Sequence, residues 1–222
     1  MTSKDNTVNI PVEKRVTQAR KKGVGSPKSG AEKPYHHGDL RGALLEAGLR
    51  LLQTRKADDL ALREVARDVG VSATAVYRHF PDKGALLSAL AQDGLDHLGQ
   101  AQRQATIDAG GGNAGFLASG LAYVQFAVAN PALFRLIFSC AQSEDLLDRP
   151  LDSVTGAMHD LRADIDRLMP PELPAPARKA AALHAWALVH GLALLVLDAQ
   201  IPLDWAVIQS VLSTTGLPQP LE

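Results

Sequence analysis

The residues best equipped for chemistry lie in one run, 62-LREVARDVGVSATAVYRHFPDKGALLSAL-90. Ser72, Ala73, Thr74, Tyr77, Arg78 and His79 are almost contiguous, and Lys83 comes soon after. Hydroxyls and a guanidinium on one exposed helix face suit contacts to phosphate oxygens and base edges in a major groove. Their neighbours indicate how that face would be held. Leu62, Val65, Ala66 and Val69 recur at helical spacing, and Gly70 is favoured just past a helix end. Val71, Val76 and Phe80 supply inward positions after the turn, and Ser72 can cap a second helix there. A short helix over 62–69, a three-residue turn and a second helix over 73–79 make a helix-turn-helix. The blander reading is two helices packed across a glycine turn with no ligand.

Other chemistry finds less footing. There is no glycine-rich phosphate loop, no Gly-x-Ser-x-Gly and no His-Glu-x-x-His, so no enzyme is expected. Asp160, Asp164 and Asp166 are spaced as a solvated helix face. His36 and His37 have no carboxylate or cysteine at ligand spacing, so neither metal nor cofactor is expected. The single cysteine, Cys140, reads as a mostly buried free thiol and excludes an intrachain disulfide, which fits a reducing, cytoplasmic setting. No secretory segment is read at the N-terminus.

The 222 residues carry a net charge of −1, unevenly distributed. Residues 1–80 hold 15 Lys/Arg against 9 Asp/Glu, and residues 81–222 hold 8 against 15. A basic front and an acidic body suggest a nucleic-acid-facing end. Residues 1–34 are polar, with basic clusters and scattered glycines, and read as a disordered basic arm. From Asp39 the pattern is helical throughout, without the alternation of strands. Helices are expected over 39–55, 62–69, 73–79 and 82–105. After a glycine loop at 108–113 come 116–129 and 132–138, then one from Pro150 to Met169, and last 177–199 and 203–214. The expected fold is all-α, about nine helices: a three-helix helix-turn-helix head over 35–82 and a helical bundle over 83–222.

The stretches 38-GDLRGALLEAGLRLL-52, LREVARDVGVS and AVYRHFPDKGALLSAL together resemble the TetR family of bacterial transcriptional regulators. The bundle resembles the subfamily named for a Trp…His-Gly signature, here Trp186, His190 and Gly191, preceded by 122-AYVQFAVANPALFRLIFS-139. The resemblance implies that residues 73–79 form a DNA recognition helix. Tyr77 would contact a phosphate, and Lys83 would grip the DNA backbone at the positive end of the fourth helix. Thr74, Ser72 and Arg78 would read bases or phosphates. His79 would either contact phosphate or cap the turn, and His37 would serve helix entry or the DNA backbone. Two departures stand out. Ala61 takes the place of a capping Ser or Thr, for which Asp58 or Asp59 would have to substitute, and Gly84 replaces a more usual Glu.

Residues 180–197 run for 18 positions without a formal charge, long enough to raise a membrane span. The soluble amphipathic helices before them favour instead a helix buried on all sides, with no membrane partner. His184 and His190 lie six apart, about 120° around a helix, and cannot share a metal as an i, i+4 pair can. Trp186 and His190 do share a face, which either lines a cavity or packs the core. The resemblance implies an effector pocket in the bundle and a homodimer formed through the last two helices. Phe116, Tyr123, Phe126, Phe134, Phe138, Met158 and Leu161 would line that pocket with Trp186 and His190. A lining of this kind suits a small hydrophobic effector. The function expected is a ligand-responsive repressor released from a double-stranded, palindromic DNA operator. The alternatives are an architectural DNA binder without effector, and a helical enzyme or lipid carrier with a vestigial head.

Overall fold

A computed structural model describes residues 39–140, 146–154 and 156–215, and every regular element among them is helical. The arm 1–34, His36, His37 and the centre of the 139–149 loop lie outside the described residues. Helix α1 (Leu40–Leu52) starts at Asp39, whose carboxylate accepts the Gly42 N–H at 2.8 Å. That bond satisfies one of the first turn's unpaired donors. A 3₁₀ turn, Ala57–Asp59, leads to α2 (Leu62–Val69) and α3 (Ala73–Tyr77). Between them Gly70 turns at φ +79°, and its N–H closes onto the Ala66 and Arg67 carbonyls. That left-handed geometry costs a residue with a Cβ about 1–2 kcal/mol.

The cap of α2 departs from expectation. Ala61 has the extended backbone of an N-cap but no side-chain bond, and neither aspartate replaces it. Asp58 and Asp59 belong to the preceding 3₁₀ turn, two and three residues too early to reach the α2 donors. At α3 the Ser72 hydroxyl does accept the Ala75 N–H, at 3.2 Å. The helix ends two residues earlier than expected, because the His79 and Phe80 N–H groups both close onto the Val76 carbonyl at 2.9 Å.

Helix α4 (Lys83–Asp108) is capped by Asp82 through the Ala85 N–H at 2.8 Å. Its 26 residues span about 39 Å, so one helix serves both ends of the molecule. The expected glycine loop shrinks to a corner. Gly110, Gly111 and Gly112 all take positive φ, and α5 (Gly112–Ala129) begins at once. At Asn130 the chain bends by 106° into α6 (Pro131–Ser139). Pro131 has no N–H to extend α5, and its fixed φ suits the first position of a new helix. Helix α7 (Gly156–Leu168) does not begin at Pro150. A 3₁₀ turn at Leu151–Ser153 intervenes, Val154 is extended, and Gly156 sits at φ +67°. Helices α8 (Ala175–Leu197) and α9 (Trp205–Thr215) complete the fold.

Packing divides the interior among several apolar cores. Helices α1 to α3 and the first half of α4 close on Leu44, Val65, Val76, Phe80, Leu86 and Leu90, and α6 adds Leu133, Leu136 and Ile137. A second core joins Leu98, Tyr123, Ala127, Phe134 and Ala193. Thus α6 gives one face to the head and another to the bundle. Gly94 permits the close approach of α4, since a Cβ there would lie 2.7 Å from Leu133 Cδ1. Helix α8 has the length and apolar composition of a membrane span, yet only 22% of its most apolar stretch is buried. Burial on all sides is therefore not achieved within one protomer. Leu183 and Leu195 on α8, and Trp205 and Val207 on α9, stand exposed. Cys140, expected to be buried, is exposed because it caps the end of α6 where the chain leaves the core.

Candidate DNA-binding face and effector cavity

Val76, fully buried, anchors α3 in the head core and turns the opposite face outward. Thr74, Tyr77, Arg78 and His79 are exposed there, Tyr77 by 47%, and Ala73 is half-buried. The Ser72 oxygen is occupied as the α3 cap. Lys83 is half-buried, and its ammonium donates to the Asp58 carbonyl, tying the 3₁₀ turn to the start of α4. Two basic residues escaped the sequence reading. Arg63 and Arg67 are exposed one turn apart on α2 and carry no ion pair among the described residues. Their i, i+4 spacing was the available sign. Arg50 and Arg55, by contrast, are engaged by Asp68 at 2.6 Å and Glu64 at 2.7 Å. Arg41 covers the Phe80 ring, 5.5 Å from its centroid.

The bundle holds a cavity of about 830 Å³ walled by α4, α5, α6, α7 and α8. Of the expected residues, Phe116, Tyr123, Phe138, Met158, Leu161 and Trp186 lie on its wall. Phe126, Phe134 and His190 stand behind it, in the packed core or against it. His190 Nδ1 lies 2.8 Å from the Tyr123 hydroxyl, and its ring is 4.6 Å from Phe138 and 5.5 Å from Phe134. Burial pushes the Tyr123 phenol well above its ordinary pKa, with a smaller opposing effect from the Trp186 indole N–H. Desolvation lowers the His190 pKa. Both groups are thereby held neutral, with the phenol donating and the imidazole accepting.

The polar part of the wall was not foreseen. Gln102, Arg103 and Thr106 of α4, Ser119 of α5, and Asp160, Asp164 and Arg167 of α7 all face the cavity. Asp160 and Asp164 are thus not a bland solvated face. Asp160 pairs with Arg103 at 2.9 Å, and Asp164, its side chain only 16% exposed, pairs with Arg167 at 2.6 Å. Asp166 keeps the expected surface role, pairing with Arg178 at 3.0 Å.

An exposed short helix across a glycine turn, set on an all-α bundle with a half-open cavity, defines a helix-turn-helix regulator. The family profile described as bacterial regulatory proteins, tetR family, matches residues 44–90, and that for the tetracyclin repressor-like C-terminal domain matches 116–212. The chain belongs to the TetR family, whose members are DNA-binding regulators rather than enzymes. It is 42% identical over 74 residues to an uncharacterized HTH-type transcriptional regulator of Haemophilus influenzae. That match spans 32% of this chain and only 36% of the relative. A solved protein of unknown function from Rhodococcus sp. RHA1 is 32% identical, with 83% of this chain and 96% of that one covered at a TM-score of 0.60. The regulator LfrR of Mycobacterium smegmatis, solved in complex with proflavine, shares the fold at 22% identity and a TM-score of 0.50, covering 82% of this chain and 96% of that one.

Proposed function

We propose that this TetR-family protein is a homodimeric repressor in the cytoplasm, released from a palindromic operator by a small, mainly apolar effector. Residues 35–82 serve as the DNA-binding head and 83–222 as the effector-binding and dimerisation region. Helix α3 enters the major groove, with Tyr77, Thr74, Arg78 and His79 facing the DNA and Arg63 and Arg67 of α2 available to phosphates. The exposed apolar faces of α8 and α9 meet their counterparts in a second copy, which supplies the burial that one protomer lacks. That a protein of this fold holds proflavine supports the ligand-binding capacity of such a bundle.

The observation that carries ligand response is the double membership of α6. Leu133, Leu136 and Ile137 belong to the head core, while Ile137 and Phe138 line the cavity. A ligand that moves α6 must disturb the packing that orients the head, and close-packed cores shift between discrete arrangements. The Gln53 amide, donating to the Asn130 side-chain oxygen at 2.9 Å, links the end of α1 to the same corner. The test is a gel shift on DNA upstream of the protein's own gene. Tyr77→Ala and Arg78→Ala should each weaken binding about tenfold or more, and Arg78→Ala, which removes a cation, should also flatten its salt dependence by roughly one phosphate contact. Unchanged binding would sink the assignment of these contacts. An architectural binder would resist thermal stabilisation by every compound tried, whereas a sensor gains stability from its ligand by mass action.

A further inference from the structure

The charges on the cavity wall are balanced in number but not in exposure. Arg167 pairs with Asp164 and Arg103 with Asp160, and in each pair the carboxylate is the more buried member. The Asp164 side chain is 16% exposed against 64% for Arg167, and that of Asp160 is 35% exposed against 48% for Arg103. Ion pairs with so exposed a guanidinium are weakly held. Once released, the long arginine side chain can turn into water, where its charge is solvated at little cost. The Asp164 carboxylate cannot follow, because its short side chain keeps it at the wall. An entering cation therefore takes the place of Arg167 and strands no charge. An anion that drew Arg167 to itself would leave Asp164 partly buried and unpaired.

Two further features favour the same sign. Asp96 lies on the same wall, where its carboxylate accepts the Gln92 amide at 3.3 Å and has no cationic partner among the described residues. The third arginine of the wall, Arg149, donates to the Ser153 carbonyl at 3.2 Å. Phe116, Tyr123, Phe138 and Trp186 line the cavity as well, and the negative faces of aromatic rings attract cations. The volume of about 830 Å³ accommodates a ring system together with a charged side arm.

We infer that the cavity takes an organic cation, a protonated amine on an aromatic body, with the ammonium beside Asp164 and the rings against the aromatic wall. This rests on the effector reading above and narrows it to one class of ligand. Asp164 is the specificity-determining residue, and Arg167 is its resident competitor. The guanidinium covers the carboxylate while the cavity is empty and gives way to the ammonium when it fills.

Isothermal titration calorimetry at neutral pH with three naphthalene probes tests this: 2-naphthylmethylammonium, 2-naphthalenemethanol and 2-naphthoate. The ammonium should bind about tenfold more tightly than the alcohol, and the carboxylate more weakly than the alcohol. Asp164→Asn should shrink the ammonium-to-alcohol ratio to about twofold or less. Arg167→Gln, which removes the competitor from an exposed position, should raise that ratio above the wild-type value. A carboxylate that binds as tightly as the ammonium, or a ratio that survives Asp164→Asn in a folded variant, overturns the inference. Should that variant not fold, Arg167→Gln decides, and an unchanged or smaller ratio there overturns it too. A wild-type ratio near one, with the alcohol bound, sinks the charge assignment and leaves the effector reading standing. If none of the three binds, both fall. If the ammonium binds with the expected selectivity but releases no DNA in the gel shift, the ligand class stands and the repressor reading fails.

Discussion

Tyr123 and His190 illustrate how a buried phenol and a half-buried imidazole can be kept against an aromatic core. The phenol is buried and donates to a neutral imidazole, and each loses that arrangement if it becomes charged. Burial lowers the His190 pKa below its usual value near 6.5, so the folded chain takes up the proton less readily than the unfolded chain. Its contribution to stability is therefore complete above about pH 6.5 and is lost as pH falls through the lower folded value. Denaturant unfolding between pH 7.5 and 5 should show wild-type stability falling with acidification. His190→Gln, which can still accept from Tyr123, should show a shallower fall. A parallel slope in the two proteins would remove His190 from that account. The i, i+4 pairing of Trp186 and His190 was readable in the sequence, but not their separate placements, Trp186 on the cavity wall and His190 behind it. The difference arises because α5 and α6 set Tyr123 and Phe138, which line the cavity, against the imidazole.

At the level of elements, the start of α2 is the most evident local weakness. Ala61 occupies a cap position with suitable backbone and no side-chain acceptor, while Asp39, Ser72 and Asp82 do cap α1, α3 and α4. Ala61→Ser should stabilise the protein by about 0.5–2 kcal/mol. For a chain of this length that raises Tm by about 2–4 °C per kcal/mol, measurable by thermal unfolding. No change would show that Ala61 lies too close to the 3₁₀ turn for a hydroxyl to reach its donor. Helix starts in the head matched the sequence closely because caps are local devices, whereas α1 and α3 end three and two residues earlier than expected. The start of α7 did not, because Pro150 marks a 3₁₀ turn and the helix begins only at a left-handed glycine. A proline at a helix start and one at a short turn look alike in sequence.

For the molecule as a whole, most of the exposed large apolar residues lie on α8, α9 and the segment that joins them. Leu183, Leu195, Leu203, Trp205 and Val207 are each more than a third exposed in one protomer. Gly191 has open space where a Cβ would point, so a second backbone could come close there. A second copy covering this face would bury apolar area worth roughly 25 cal/mol per Å² before the cost of association. Leu195→Glu places a charge in that contact and should leave a species of 23.6 kDa by light scattering, with operator affinity greatly reduced. A variant that keeps twice that mass would move the dimer contact elsewhere. Since one head alone holds only half of a palindromic site, loss of the dimer and loss of DNA binding should occur together.

The sequence by itself determined the all-α class, the helix-turn-helix and the outward residues of α3. Each depends on periodicity, caps and turn residues within a few positions of one another. It also marked Ala61 as a cap position without a hydroxyl, but left Asp58 or Asp59 open as substitutes, which the structure rules out. Tertiary structure alone decided which polar positions converge. Arg103 and Asp160 lie 57 residues apart and meet at 2.9 Å only because α4 and α7 pack side by side. Gln102 reads in sequence as one more polar residue on a long amphipathic helix. Hydrophobic periodicity identifies the buried face of each helix separately, but the crossing of two helices sets which polar residues at the edges of those faces come together. Those edges form the charged and hydrogen-bonding part of the cavity wall.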